Sequence, residues 1–205
     1  MIKKEKIFFE DKRTVKSEIR IIGIDDSPFS HKKKEDILIL GTIYRGGSYL
    51  EGIVSTHILV DGKDATSKMI EMVNKSKHRD QLQVIMLDGI AVGGFNVVDI
   101  QRLSERTHLS VIVIMRNKPD LENIKRALMN VEDWEQKIEL IAKAGEIYSC
   151  KVGDGGIYFQ CRGISPEKSK EIIKISVTSG HMPEPIRTAH LIASGVIEGE
   201  SHGRA

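Results

Sequence analysis

Hydrophobic residues recur along this chain first at strand spacing and later at helical spacing. Ile21, Ile22 and Ile24 lie in a run from Glu18 to Asp25 that reads as a first strand. A polar loop with Pro28 and His31-Lys32-Lys33-Lys34 follows. Asp36 to Arg45 and Tyr49 to Val60 are the second and third strands, and Gly46-Gly47 between them predicts a tight antiparallel hairpin. The period then changes. Asp64 to Lys75 sets Ala65, Met69, Ile70 and Val73 at helical spacing. Leu82 to Leu87 is a short apolar run, the pattern of a strand buried on both faces. Asn96 to Arg106 predicts a second helix with Asn96 as its N-cap, and Ser110 to Met115 another buried strand. Leu121 to Ala144 reads as a polar helical stretch broken near Asn130 to Asp133. A hairpin flanked by Cys150 and Cys161 precedes two helices, over Pro166 to Ile175 and Pro183 to Gly195.

Three antiparallel strands followed by helix, strand, helix, strand is the element order of ribonuclease H-like folds. The expectation is an α/β domain with a mixed five-stranded sheet flanked by helices, and a C-terminal hairpin and helices beyond it. A flavodoxin-like sheet would alternate strand and helix from the start, which the early hairpin contradicts. In the ribonuclease H-like arrangement the first and fourth strands lie side by side, joined by right-handed crossovers.

That adjacency matters because both strands end in an acid. Ile21-Ile22-Gly23-Ile24 runs into Asp25-Asp26, and Val84-Ile85-Met86-Leu87 into Asp88-Gly89. Two carboxylates meeting at one rim repel each other unless a cation lies between them, so Asp25 and Asp88 predict a divalent-metal site. Asp61 or Asp64, after the third strand, is the candidate third acid, although Asp64 also reads as an ordinary N-cap. Gly93-Gly94, ahead of the predicted helix at Asn96, would let backbone approach a phosphate at a helix start. His181 precedes the last helix as a candidate general acid/base or phosphate contact. Glu184, Arg187 and His190 follow at helical spacing and would share a polar face. Lys32, Lys33 and Lys34 form a cationic loop near Asp25 that would steer a phosphate backbone.

Composition narrows the class. With 205 residues, 40% hydrophobic and 29% charged, the chain suits one domain spanning 1–205 with a full core. A net charge of +2 means that any nucleic-acid surface is a local patch. One Trp, four Tyr and five Phe are too few for a stacking platform on single strands. No stretch approaches the roughly 20 apolar residues of a membrane span, and the charged N-terminus lacks a signal-peptide core, so the expectation is a cytoplasmic protein. The two cysteines, opposite or diagonal across their hairpin, read as free thiols and make a poor zinc site.

Four segments carry a family resemblance: Ile22 to Phe29, Val60 to Thr66, Leu87 to Asn96 and Pro183 to Leu191. Together they resemble an archaeal family, domain of unknown function ninety-nine, which is distantly similar to endonuclease V, a ribonuclease H-like metal-dependent nuclease that cuts strands near deaminated bases. The resemblance implies metal ligands at Asp25 and Asp88, an active-site histidine at His181, Mg²⁺ or Mn²⁺ as cofactor, and DNA or RNA as partner. It departs at three points. The Arg-Glu that supplies a third acid in endonuclease V is absent, which leaves Asp61 or Asp64 as stand-ins. Its His-Pro-Arg segment is replaced by Val92-Gly93-Gly94-Phe95. Its strand-opening Pro-Tyr wedge has no counterpart. A phosphodiester hydrolase and a non-catalytic nucleic-acid-binding or adaptor protein on the same fold are the two readings, and a phosphatase using the same metal site is a third.

Overall fold

The structure, a computed structural model, describes residues 14–30, 35–153 and 155–201. Its centre is a seven-stranded sheet in which β1 (Arg20–Asp26) pairs antiparallel with β2 (Asp36–Arg45), and β2 with β3 (Tyr49–Leu59). After helix α1 (Ala65–Lys75) the chain crosses over to β4 (Val84–Asp88), which runs parallel to β1 with Ile24 opposite Leu87. Two short strands, β5 (Ala91–Val92) and β6 (Asn96–Val97), form a small hairpin before α2 (Ile100–Thr107). Strand β7 (Ser110–Met115) then lies parallel to β4. Helices α3 (Leu121–Leu128) and α4 (Trp134–Lys143) lead to the hairpin β8 (Tyr148–Val152) and β9 (Gly155–Arg162). Helices α5 (Pro166–Ser176) and α6 (Glu184–Glu198) end the described chain.

The sheet extends beyond the five strands expected. Strand β9 pairs antiparallel with β7, so the cysteine-flanked hairpin completes one sheet of order β3-β2-β1-β4-β7-β9-β8. The physical reason is the far edge of β7. Its residues Val111 to Ile114 are fully buried, and an unpaired buried backbone edge is costly, which β9 prevents while burying Ile157 and Phe159. The two cysteines do not face each other: Cys150 lies opposite Ile157 and Cys161 opposite Ile112, and neither is in a disulfide.

The other departure is local. Asn96 lies in β6 instead of capping a helix, and α2 begins four residues later with Asp99 as its cap, its carboxylate accepting from the Arg102 N–H at 2.8 Å. Asn96 is held elsewhere, its amide donating to the Asp64 carboxylate at 2.8 Å and to the Leu59 carbonyl at 3.1 Å. Gly93 and Gly94 therefore form the β5–β6 turn, at φ +55° and +82°, and do not lead directly into a helix N-terminus.

Period-2 alternation divides the core into two faces. Ile22, Ile24, Ile85 and Leu87 pack with α1 and α2 residues such as Met69 and Leu103. On the opposite face Ile21, Val84 and Met86 pack with Ile172 and Ile173 of α5 and Ile186 of α6. Each such buried aliphatic side chain contributes roughly 1.5–3 kcal/mol. Strand positions one step past Ile24 and Leu87 face the α5/α6 side, and they are Asp25 and Asp88.

Candidate active site

Helix α6 lies close against β1 because Gly23 has no side chain. A Cβ there would fall 2.3 Å from the Pro185 carbonyl carbon and 2.6 Å from the Ile186 nitrogen. The first turns of α6 are also tied to β2: the Thr42 hydroxyl donates to the Pro185 carbonyl, and the Tyr44 and Thr188 hydroxyls share a hydrogen bond of 2.8 Å. This docking carries His190 over the end of β1, where its Nδ1 lies 2.9 Å from Asp25 Oδ2.

Asp25 is 4% exposed. Its Oδ1 accepts from the Asp26 N–H at 2.9 Å, so one oxygen is held by backbone and the other by His190. Burial pushes the carboxyl up to about 6, opposed by the His190 hydrogen bond and reinforced by repulsion from Asp88 and Asp26. Asp88, on the adjacent parallel strand, is also raised, first by burial, with Arg116 pulling the other way. Arg116 follows β7 directly, and its Nη2 lies 3.5 Å from Asp88 Oδ2. His190 is raised in turn, chiefly by its hydrogen bond to Asp25.

Asp26 points to the other face of the sheet. Its Oδ2 accepts the Gly93 N–H, and burial raises its carboxyl. Of the two consecutive acids, both of which feel the charge of Asp88, Asp25 is thus the one that meets His190.

Asp61 and Asp64 are engaged elsewhere. Asp61 adopts a left-handed conformation at φ 56°, its carboxylate accepts from the Phe95 N–H at 2.8 Å, and its carbonyl accepts from Lys137 Nζ at 3.0 Å. Asp64 precedes α1 without a side-chain cap bond and instead accepts from Asn96 and the Leu59 N–H. Neither is among the charges acting on Asp25.

His181 is exposed and lies against Gly155 of the β8–β9 hairpin, not beside the Asp25–Asp88 pair. Arg187 donates to the buried Glu184 carboxylate at 2.7 and 3.0 Å, which puts these two on one side of α6, while His190 turns to Asp25. Lys32, Lys33 and Lys34 lie outside the described residues. The imidazole beside the acids is therefore His190. Its sequence signal was a single polar ring in the run Ala189-His190-Leu191; Arg116, a cation ending a buried strand, mirrors the two strand-ending acids.

The donor set suits a hard cation. Carboxylate oxygens on adjacent strands, buried and mutually repelling, are relieved by a divalent ion, and Mg²⁺ commonly takes only one or two carboxylates and fills the rest with water and phosphate. Among the described residues no three His, Cys, Asp or Glu side chains already converge into a metal cage. Beside Gly89 opens a cavity of about 590 Å³, lined by apolar side chains that include Ile90, Phe95, Met115 and Ile138. The buried Gln160 amide also lines it, with Nε2 donating to the Gly145 carbonyl at 2.9 Å.

Known proteins share this architecture. The Bacillus subtilis endonuclease V crystal structure superposes with a TM-score of 0.60 at 15% identity, covering 92% of this chain and 85% of that one. The Ciona intestinalis endonuclease V, solved with DNA containing an inosine, gives 0.58 at 15% identity, covering 88% and 86%. At such identity the likeness establishes the fold, which is ribonuclease H-like. Among the described residues no helix is long and apolar enough to cross a membrane. An Archaeoglobus fulgidus crystal structure gives a TM-score of 0.79 at 42% identity, over 90% of this chain and 99% of that one. The UPF0215 protein of Methanothermobacter thermautotrophicus is 53% identical over 194 residues, 94% of this chain and 95% of the relative. The family model described as Endonuclease dU matches residues 17–197, and the chain belongs to that family.

Proposed function

We propose that this protein is a metal-dependent endonuclease that hydrolyses a phosphodiester bond near a deaminated base. The observation that carries the reading is the pairing of Asp25 and Asp88 at the ends of adjacent parallel strands with His190 on Asp25. The family description names deoxyuridine, and a related fold was solved on inosine-containing DNA, so these are the first bases to test.

Asp25 and Asp88 would hold Mg²⁺ or Mn²⁺, and such an ion supplies water activation and charge neutralisation at the phosphate. The chain's own groups do the rest. With Nδ1 committed to Asp25, His190 keeps Nε2 for a proton at the reacting phosphate. Arg116, next to Asp88, adds a fixed cation that favours an incoming phosphate. The cavity beside Gly89 has the size and apolar lining to take a base out of its stack, with Gln160 as a polar contact on its wall.

The competing reading is a non-catalytic nucleic-acid-binding protein. It draws on Asp61 and Asp64, whose carboxylates are already occupied by backbone and Asn96 donors. The experiment is a panel of single-stranded and duplex DNA and RNA carrying deoxyuridine, inosine or neither, incubated with Mg²⁺, Mn²⁺ or chelator. Metal-dependent cutting near one deaminated base, lost in Asp25→Asn and Asp88→Asn, is expected. Folded protein that cuts no member of the panel under any metal condition supports the binding protein instead.

A further inference from the structure

The cavity beside Gly89 has apolar walls, built by Phe95, Met115 and residues of α3 and α4 such as Ile138 and Ile141. Glu122 and Lys125 of α3 border it but are exposed. Among the described residues that line it, Gln160 is the one buried polar side chain, at 4% exposure.

Gln160 is held at both ends. Its backbone lies in β9, opposite Val113 of β7. Its amide is tied to the segment just past α4, where Nε2 donates to the Gly145 carbonyl at 2.9 Å. A backbone carbonyl only accepts, so the amide nitrogen is the end that faces Gly145. Turning the amide over would set two acceptor oxygens against each other. The other end, Oε1, takes no hydrogen bond among the described residues, and it is not sealed from solvent. Gln160 thus keeps one oriented acceptor for whatever enters the cavity.

A single acceptor in an apolar wall selects for a donor. An unstacked base is read along its pairing edge. On that edge cytosine N3 and adenine N1 are acceptors. Deamination turns each into a donor, N3–H in uracil and N1–H in hypoxanthine. Against Oε1 the deaminated base forms a hydrogen bond where its parent sets acceptor against acceptor. A parent base that slid over to offer its exocyclic amine would leave its ring nitrogen buried without a donor, which is costly. An amide free to turn would serve either base, so the bond to Gly145 is what makes the choice.

We infer that Gln160 is the specificity-determining residue: its Oε1, locked by Gly145, accepts the ring N–H that deamination creates. This rests on the reading of the cavity as the place that takes an unstacked base in a nuclease.

The test uses the full chain carrying Asp88→Asn, in chelator, so that the strand stays intact. Fluorescence anisotropy measures binding of a 20-nucleotide single-stranded DNA whose central base is uracil, cytosine, hypoxanthine, adenine or N3-methyluracil. Uracil is expected to bind about tenfold or more tighter than cytosine, and hypoxanthine than adenine, because each parent leaves a buried acceptor unpaired. N3-methyluracil, which keeps both carbonyls but lacks the N–H, should fall to the level of cytosine. Adding Gln160→Leu should bring uracil and N3-methyluracil within about twofold of each other. A methyl group that merely clashes would keep them apart in that variant. Unchanged melting checks the fold, and Gln160→Met, closer in length, serves if the leucine variant melts early. Equal binding of uracil and N3-methyluracil with Gln160 present overturns the inference, as does a gap that survives in the folded variant. The two proposals fail separately. A wild type that cuts nothing, in a protein that shows this preference, keeps Gln160 as the reader and removes the nuclease. Cutting at uracil that is indifferent to both N3 methylation and Gln160→Leu does the reverse.

Discussion

Two pairs of aspartates follow strands of this sheet, and they stand in opposite circumstances. Asp61 and Asp64, after β3, meet donors supplied by the β5–β6 hairpin: the Phe95 N–H for one, the Asn96 amide for the other. Asp25 and Asp88, at the ends of β1 and β4, repel each other. Among the described residues Asp88 meets Arg116 at 3.5 Å, and burial raises both carboxyls. The first pair uses its charge to pin a turn to a hairpin. In the second, burial and mutual repulsion raise the carboxyls against the pull of His190 and Arg116, which is the condition for recruiting a cation. The same residue type is structural where its carboxylate pins a turn and a candidate ligand where buried carboxylates crowd one rim.

The largest effect that tests this contrast is on turnover. Asp25→Asn or Asp88→Asn should lower metal-dependent cleavage on the order of 10³-fold or more, since several kcal/mol of charge stabilisation leave with the ion. Asp61→Asn and Asp64→Asn should stay within about tenfold, because hydrogen-bonded turns lose far less than a metal does. Single-turnover rates, with melting curves as a check on folding, decide it. A loss of the larger size at Asp61 or Asp64 in a folded protein would make that residue the third acid.

The two histidines sharpen the contrast next. His190→Ala should cost about 10²–10⁴-fold in rate, the usual range for a proton-transfer group. His181→Ala should change the rate on a 6-nucleotide substrate less than about threefold, because His181 lies at the β8–β9 hairpin and not at Asp25. Equal losses on that short substrate would place both rings in the chemistry.

Stability against pH reads the unbalanced charge directly. In chelator, carboxyls whose folded values are raised bind more protons folded than unfolded, so their stabilising contribution is complete below the unfolded values and is lost as pH rises through the folded ones. For Asp25 that window runs from the ordinary 3.8 up to about 6. The raised His190 acts with the same sign, its contribution fading as pH rises through its folded value. The melting temperature of metal-free protein should therefore fall between pH 4 and pH 6.5, on the order of 5 °C for a contribution of at most about 3 kcal/mol. Asp25→Asn should flatten that slope, and adding Mn²⁺ at pH 7 should recover the loss. A slope unchanged by Asp25→Asn would assign it to other groups.

The smallest expected effect lies in the structural pair. Asp64→Ala strands the Asn96 amide and the Leu59 N–H and should destabilise the protein by about 1–3 kcal/mol by denaturant unfolding. Asp88→Asn, which removes repulsion, should leave metal-free stability unchanged or slightly higher. Opposite signs for these two substitutions are the contrast in its simplest form.

Much of this protein follows from sequence alone because the relevant signals are local. Alternating and continuous apolar runs define β1 to β4 and β7, Gly46-Gly47 the hairpin, and strand-ending acids the rim. The element order is enough to bring Asp25 beside Asp88. What only the tertiary structure decided are long-range partnerships. His190 reaches Asp25 across 165 positions because Gly23 admits α6 against β1. Asp61 and Asp64 are claimed by Phe95 and Asn96, more than 30 positions away, and Asn96 is thereby drawn from a helix cap into a strand. Whether an aspartate is a ligand or a turn anchor depends on how deeply it is buried and which charges fold around it, and that is a property of packing, not of neighbouring residues.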